Sequence, residues 1–181
     1  MIKHRITLCA FLIFLPACTP PTPDQARAVQ EAISTPTQST NRPESMHLAA
    51  RANDIAGLQA LWEADHPLNI LDEAGLTPLQ VAIEAQHPKA VEWLLSYQAD
   101  PYGAKSTQDT PLSQAVLIAS QYERHSEEQK VAFEILTLLI EHGVDPMEDY
   151  NGAISPLQLA MAKDCEACIE HIMEIVRNKN N

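Results

Sequence analysis

The amino-acid sequence predicts an all-α solenoid of about four helix-turn-helix repeats. Three observations carry this reading. Thr77-Pro78-Leu79 returns 33 residues later as Thr110-Pro111-Leu112 and, after a longer gap, as Ser155-Pro156-Leu157; a fixed period in this range marks a stacked array. Each copy continues with a small apolar segment, Gln80-Val81-Ala82, Ser113-Gln114-Ala115 and Gln158-Leu159-Ala160. Each then has an apolar stretch at helical spacing: Val91, Trp93, Leu94 and Leu95; Ile135, Leu136, Leu138 and Leu139; Ile169, Ile172 and Met173.

The elements follow in order. Residues 44–177 form the repeat domain, with repeats near 44–70, 71–103, 104–148 and 149–177, and residues 178–181 are a polar tail. The first repeat is degenerate: Met46-His47-Leu48-Ala49-Ala50 stands in register with Leu79 to Ile83, and Leu58, Leu61 and Trp62 supply its second helix. Terminal repeats are often atypical because one side faces water. Thr77, Thr110 and Ser155 are placed to accept a free backbone N–H as helix N-caps. The proline after each has no N–H to leave unpaired and already holds the helical φ. Asn53, Gln86 and Asp164 occupy the turn between paired helices. Asn and Asp tolerate a left-handed backbone and Gln does so poorly, so that turn is expected to be distorted in the second repeat. The third repeat is twelve residues too long, since Thr110 to Asp145 spans 35 where Thr77 to Asp100 spans 23. The excess lies near Tyr122–Phe133, where it either extends the helix pair or bulges from their turn. It reads as a tolerated surface insertion or as a contact loop.

The repeating residues, with Ala99-Asp100-Pro101 and Val144-Asp145-Pro146 between copies, resemble the ankyrin repeat over about residues 44–176. That resemblance implies short β-hairpin fingers projecting from the helix stack, and binding by finger tips and by the open face of each first helix. Carried over position by position, it marks Glu73, Leu76, Glu84, Thr107, Asp109, Leu117 and Ile154 as protein-binding, with Tyr102 and Tyr150 beside them. Tyrosine is a favoured interface anchor. The resemblance also assigns His47 a bond to neighbouring backbone.

The N-terminus is a second motif. Met1 to Arg5 is basic, and Ile6–Leu15 is an apolar run that suits a signal-peptide core better than a bilayer span. Leu15-Pro16-Ala17-Cys18 resembles a bacterial lipobox. The resemblance implies removal of residues 1–17 and lipidation of Cys18, whose thiolate is the nucleophile for the thioether step. Several acyl chains would make an anchor that hardly dissociates. Thr19, in place of the Asp that retains lipoproteins in the inner membrane, favours the periplasmic side of the outer membrane. Residues 18–43 carry prolines at 20, 21, 23, 36 and 43 among many Ser, Thr and Gln residues, the composition of a disordered tether.

Charge and chemistry narrow the function. Without residues 1–17, ten basic and 24 acidic residues remain, a net charge of −14. This disfavours nucleic acid and suggests a neutral or basic protein partner. No phosphate-binding glycine loop, G-x-S-x-G or H-E-x-x-H occurs, so no enzyme, cofactor or metal is expected. Cys165 and Cys168 lie at a helix N-terminus, open to three readings: a structural disulfide, a packed pair of small side chains, or a redox dithiol. A zinc site would need further ligands, of which His171 is one candidate. The expected protein is a monomeric, lipid-anchored periplasmic binding module without catalysis. Its expected role is immunity against a periplasmic toxin, or scaffolding of a resident enzyme, or redox chemistry at Cys165 and Cys168.

Overall fold

A computed structural model describes residues 44–103, 110–150 and 152–179. The predicted signal peptide, Cys18, the tether, Thr107 and Asp109 lie outside the described residues. Eight helices run through the described residues: α1 (Glu44–Arg51), α2 (Ile55–Glu63), α3 (Pro78–Glu84), α4 (Pro88–Ser96), α5 (Pro111–Ala119), α6 (Glu127–Glu141), α7 (Pro156–Ala162) and α8 (Glu166–Lys179). They pair as α1–α2, α3–α4, α5–α6 and α7–α8. The first helices stack on one another as one row and the second helices as another, with the core between them.

The predicted caps form. Thr77 Oγ1 accepts from the Gln80 N–H at 3.3 Å while Gln80 Oε1 accepts from the Thr77 N–H at 3.1 Å, a reciprocal capping box. Ser155 and Gln158 repeat it at 3.3 and 3.1 Å. Thr110 has Ser113 in place of glutamine and caps through its own hydroxyl alone, at 3.1 Å. These first helices are only seven to nine residues long, so their stability comes from packing rather than from propensity. Leu79, Ala82, Ile83, Leu112, Ala115 and Val116 from the first row meet Val91, Leu94, Ile135, Leu136, Leu139 and Ile172 from the second, all buried.

Each helix pair turns through one residue with positive φ. Asn53, Gln86 and Asp164 stand at φ 54°, 57° and 52°. The Gln86 turn is not distorted: its N–H donates to Ile83 O, and His87 N–H to Ala82 O, both at 3.0 Å, the same closure made by Asn53-Asp54 and Asp164-Cys165. The expectation of distortion is corrected by these bonds, which satisfy the last carbonyls of α3 and hold glutamine in the left-handed region. In the third repeat His125, at φ 70°, takes this place directly before the cap Ser126.

The twelve extra residues are distributed along the helix pair. α5 has nine residues against seven in α3, the connection has seven against three, and α6 has 15 against nine in α4. The insertion both lengthens the helices and widens their turn. It does not stand free in solvent: Arg124 in the turn contacts Glu170 at 2.6 Å and Glu166 at 3.5 Å, both on α8. Gln129, buried at the start of α6, anchors the other side by accepting from the His125 N–H at 2.9 Å.

The expected β-hairpin fingers appear as turns; no strand occurs among the described residues. In the second repeat the Asp72 carboxylate accepts from the N–H groups of Ala74 and Leu76, both at 2.9 Å, and the Asp72 N–H donates to Leu76 O at 3.0 Å. The segment closes on itself in a single turn, which is too short for a ladder.

Candidate functional site

Specific bonds and close contacts position the described parts of the connections between repeats. His47 on α1 donates from Nε2 to Leu76 O at 2.9 Å, which pins the second finger to the first repeat as the resemblance implied. Gly103 lies buried at φ 75°, where an added Cβ would stand 3.0 Å from Pro111 Cδ and 3.5 Å from Gln80 Cδ. Gly103 is therefore held tightly between α3 and α5.

The structure brings three of the predicted residues together. Tyr102 and Tyr150 stack with ring centroids 4.9 Å apart, and both line a small cleft with Val144, Asp145, Glu148 and Ile154. The Tyr102 hydroxyl donates to Gly143 O at 3.4 Å. Burial pushes its ionisation above the usual tyrosine range, and the negative charges of Glu148 and Asp145 add to the shift. Ile154 is 52% exposed and Met147, which the sequence reading did not mark, is 48% exposed.

The other predicted residues stand apart from this cleft. Glu73 is exposed at the second finger tip, Leu76 is half-buried beside it, Glu84 is exposed at the end of α3, and Leu117 is half-buried on α5. Among the described residues, the connections 64–77, 97–110 and 142–155 carry Asp65, Asp72, Glu73, Asp100, Asp145, Glu148 and Asp149 and no Lys or Arg. The sequence places Lys105 in the second connection, outside the described residues.

These paired helices, reciprocal caps and finger turns have a counterpart among known families. A family model described as ankyrin repeats in three copies matches residues 25–105 and again residues 46–124. The chain belongs to the ankyrin-repeat family. The match begins upstream of residue 44, inside the stretch read as a tether, and the last repeat beyond it is visible in the structure as α7 and α8. Ankyrin repeats are protein-interaction modules and are typically non-catalytic.

Chemistry elsewhere is sparse. No group of three or more His, Cys, Asp or Glu side chains able to hold a metal occurs among the described residues. His171 stacks on Phe133 with centroids 4.5 Å apart, and its Nε2 donates to Phe133 O at 3.1 Å. It is thus a packing residue between α6 and α8. Cys165 and Cys168 are joined in a disulfide across the first turn of α8, with Cα atoms 5.2 Å apart and Cys168 fully buried. Cys165 Sγ also accepts from the Cys168 N–H at 3.3 Å.

Sequence reasoning missed one feature. Trp62, Trp93 and Tyr97 form a continuous aromatic ladder on the second helix row. Trp93 stacks on Tyr97 at 4.3 Å, and Trp62 meets Tyr97 edge-on at 5.9 Å. In the sequence, Trp62 and Trp93 read only as apolar helix positions. The four-residue spacing of Trp93 on α4 and Tyr97, which caps the C-terminal end of that helix, was the available signal.

Proposed function

We propose that this ankyrin protein binds a basic protein partner along its finger edge, and does so from a lipid anchor at Cys18 on the periplasmic side of the outer membrane. The observation that carries the partner's chemistry is the finger edge itself. Its described residues hold seven carboxylates and no cation, and next to these stand the exposed Met147 and Ile154 and the stacked tyrosines. Apolar and aromatic side chains supply contact energy, and the surrounding charge steers encounter and rejects acidic competitors. The anchor reading rests on Leu15-Pro16-Ala17-Cys18 and the basic and apolar run before it. A small, acidic, anchored module without catalysis suits an immunity protein that neutralises a toxin delivered to the periplasm. The partner's active site, when built to hold an anionic substrate, would be blocked by the same finger edge.

The test is co-purification with tagged full-length protein, expressed in a bacterial host and exposed to periplasmic and secreted proteins at low and moderate salt. Capture of a hydrolase whose activity falls on binding supports the inhibitor. Capture of an enzyme whose activity persists assigns a scaffold instead. The anchor is checked by mass spectrometry of the mature N-terminus: an acylated Cys18 is expected, and an unmodified Cys18 refutes it.

A further inference from the structure

Partner binding at the finger edge leaves the Cys165–Cys168 pair without a use. Its two sulfurs are unequal. Cys168 is fully buried, while Cys165 is 9% exposed and lines an open cleft of about 430 Å³. That volume is in the range that admits a small ligand or a short piece of another chain. One wall of the cleft, with Tyr122, Arg124 and Gln129, belongs to the insertion of the third repeat; the other holds Met161, Lys163 and the start of α8. The charged lining residues are Arg124, Lys163, Asp164 and Glu166, two of each sign. Access to sulfur, and not net charge, therefore defines the cleft. Cys165 directly precedes α8, and its Sγ accepts from the Cys168 N–H at 3.3 Å. A thiolate at this position keeps that donor and faces the positive end of a 14-residue helix.

We propose that the Cys165–Cys168 disulfide is a thiol–disulfide exchange site, which accepts two electrons from a cysteine pair on an exposed segment of another protein. The order of bond changes follows from burial. A substrate thiol loses its proton to water and its sulfur attacks Cys165 Sγ, the sulfur that the cleft exposes. The Cys165–Cys168 bond breaks, a mixed disulfide forms at Cys165, and Cys168 leaves as a thiolate that takes up a proton. The second substrate thiol, deprotonated in the same way, attacks the substrate's own sulfur in the mixed disulfide. Cys165 is expelled as a thiolate at the helix N-terminus, where the Cys168 N–H receives it, and is then protonated. The substrate loses two electrons and two protons and becomes a disulfide; the chain gains them as two thiols. The site stands independently of the finger-edge reading, because none of that reading's residues lines this cleft.

The test mixes the full-length oxidised protein with a synthetic peptide carrying two cysteine thiols, without other oxidant. Alkylation and peptide mapping by mass spectrometry follow each sulfur and separate this pair from Cys9 and Cys18. The comparison is an oxidised, unstructured peptide copying residues 163–170. One peptide disulfide formed per chain is expected, at a rate at least about tenfold above the comparison, since the helix start favours the departing thiolates. In a second arm, glutathione disulfide is added to single variants whose helicity is checked by circular dichroism. Cys168→Ser, which leaves the cleft-lining thiol, is expected to form a glutathione mixed disulfide at Cys165. Cys165→Ser, which leaves the buried thiol, is expected to react at least about tenfold more slowly. Exchange in the folded wild-type chain no faster than in the comparison peptide overturns the proposal. So does a disulfide that reacts only once urea unfolds the chain, which would make it a structural crosslink alone, and so does equal labelling of the two variants.

Discussion

Replacing Gln86 by glycine is expected to stabilise the protein by about 1 kcal/mol, and the structure supplies the terms. At φ 57° the glutamine Cβ is in the left-handed region, which costs an L-residue roughly 1–2 kcal/mol. Its Nε2 is buried with no hydrogen-bond partner, a further cost of about 1–3 kcal/mol. Against these stand the greater freedom of glycine in the unfolded chain, roughly 0.5–1 kcal/mol, and the lost packing of the side-chain methylenes, about 0.8 kcal/mol each. Urea denaturation followed by circular dichroism and by tryptophan fluorescence gives the value and checks that the two probes coincide. Gln86→Ala separates the terms, because it removes the unpaired amide but keeps Cβ and the backbone cost; it is expected to fall short of glycine. Asn53→Gly is the backbone control: its Oδ1 is likewise buried without a partner, but asparagine tolerates φ 54°, so the variant should gain less by the difference in backbone cost alone. A Gln86→Gly variant no more stable than Gln86→Ala would refute the backbone argument.

Three further outcomes are expected. Gly103→Ala should destabilise the protein by about 2 kcal/mol, because φ 75° disfavours a side chain and Cβ would press on Pro111; thermal denaturation measures it. The raised ionisation of Tyr102 makes its folded form hold the proton longer than the unfolded chain does, so stability is intact below the ordinary tyrosine range near pH 10 and falls as pH rises above it. Tyr102→Phe should lessen that alkaline loss in denaturation curves, and absorbance titration should show one of the four tyrosines ionising late. Replacing Cys165 and Cys168 together by alanine removes a crosslink of short span, worth about 2 kcal/mol on the chain-entropy account. Because α8 lies at the end of the stack, amide exchange should accelerate chiefly across 166–179, and a uniform acceleration through α1 to α6 would contradict that localisation.

The repeat plan was legible because it is written in local chemistry. A cap hydroxyl, a proline at the helix start and apolar residues at helical spacing act within a few residues of one another, so Thr77, Thr110 and Ser155 could be read directly. Residues at equivalent positions must stack, and the period therefore carried the two-row architecture as well. Gln80 and Gln158 completing their capping boxes were also within reach of the same rule. Much less of the surface was legible. Leu76 and Ile154 share one register position and Glu84 and Leu117 another, with Glu73 at a third, but only Ile154 joins Tyr102 and Tyr150 at the cleft.

What the sequence determined by itself is the set of interactions closed within one repeat: helix starts, paired-helix turns and the apolar face of each helix. Tertiary structure decided what crosses between repeats. It carried Tyr102 of one finger onto Tyr150 of the next, set Arg124 of the insertion against Glu166 and Glu170, and assembled Trp62, Trp93 and Tyr97 from two helices into one ladder. The physical reason is the rotation and spacing between neighbouring repeats. Those depend on the summed packing of many buried side chains, and no single motif encodes them.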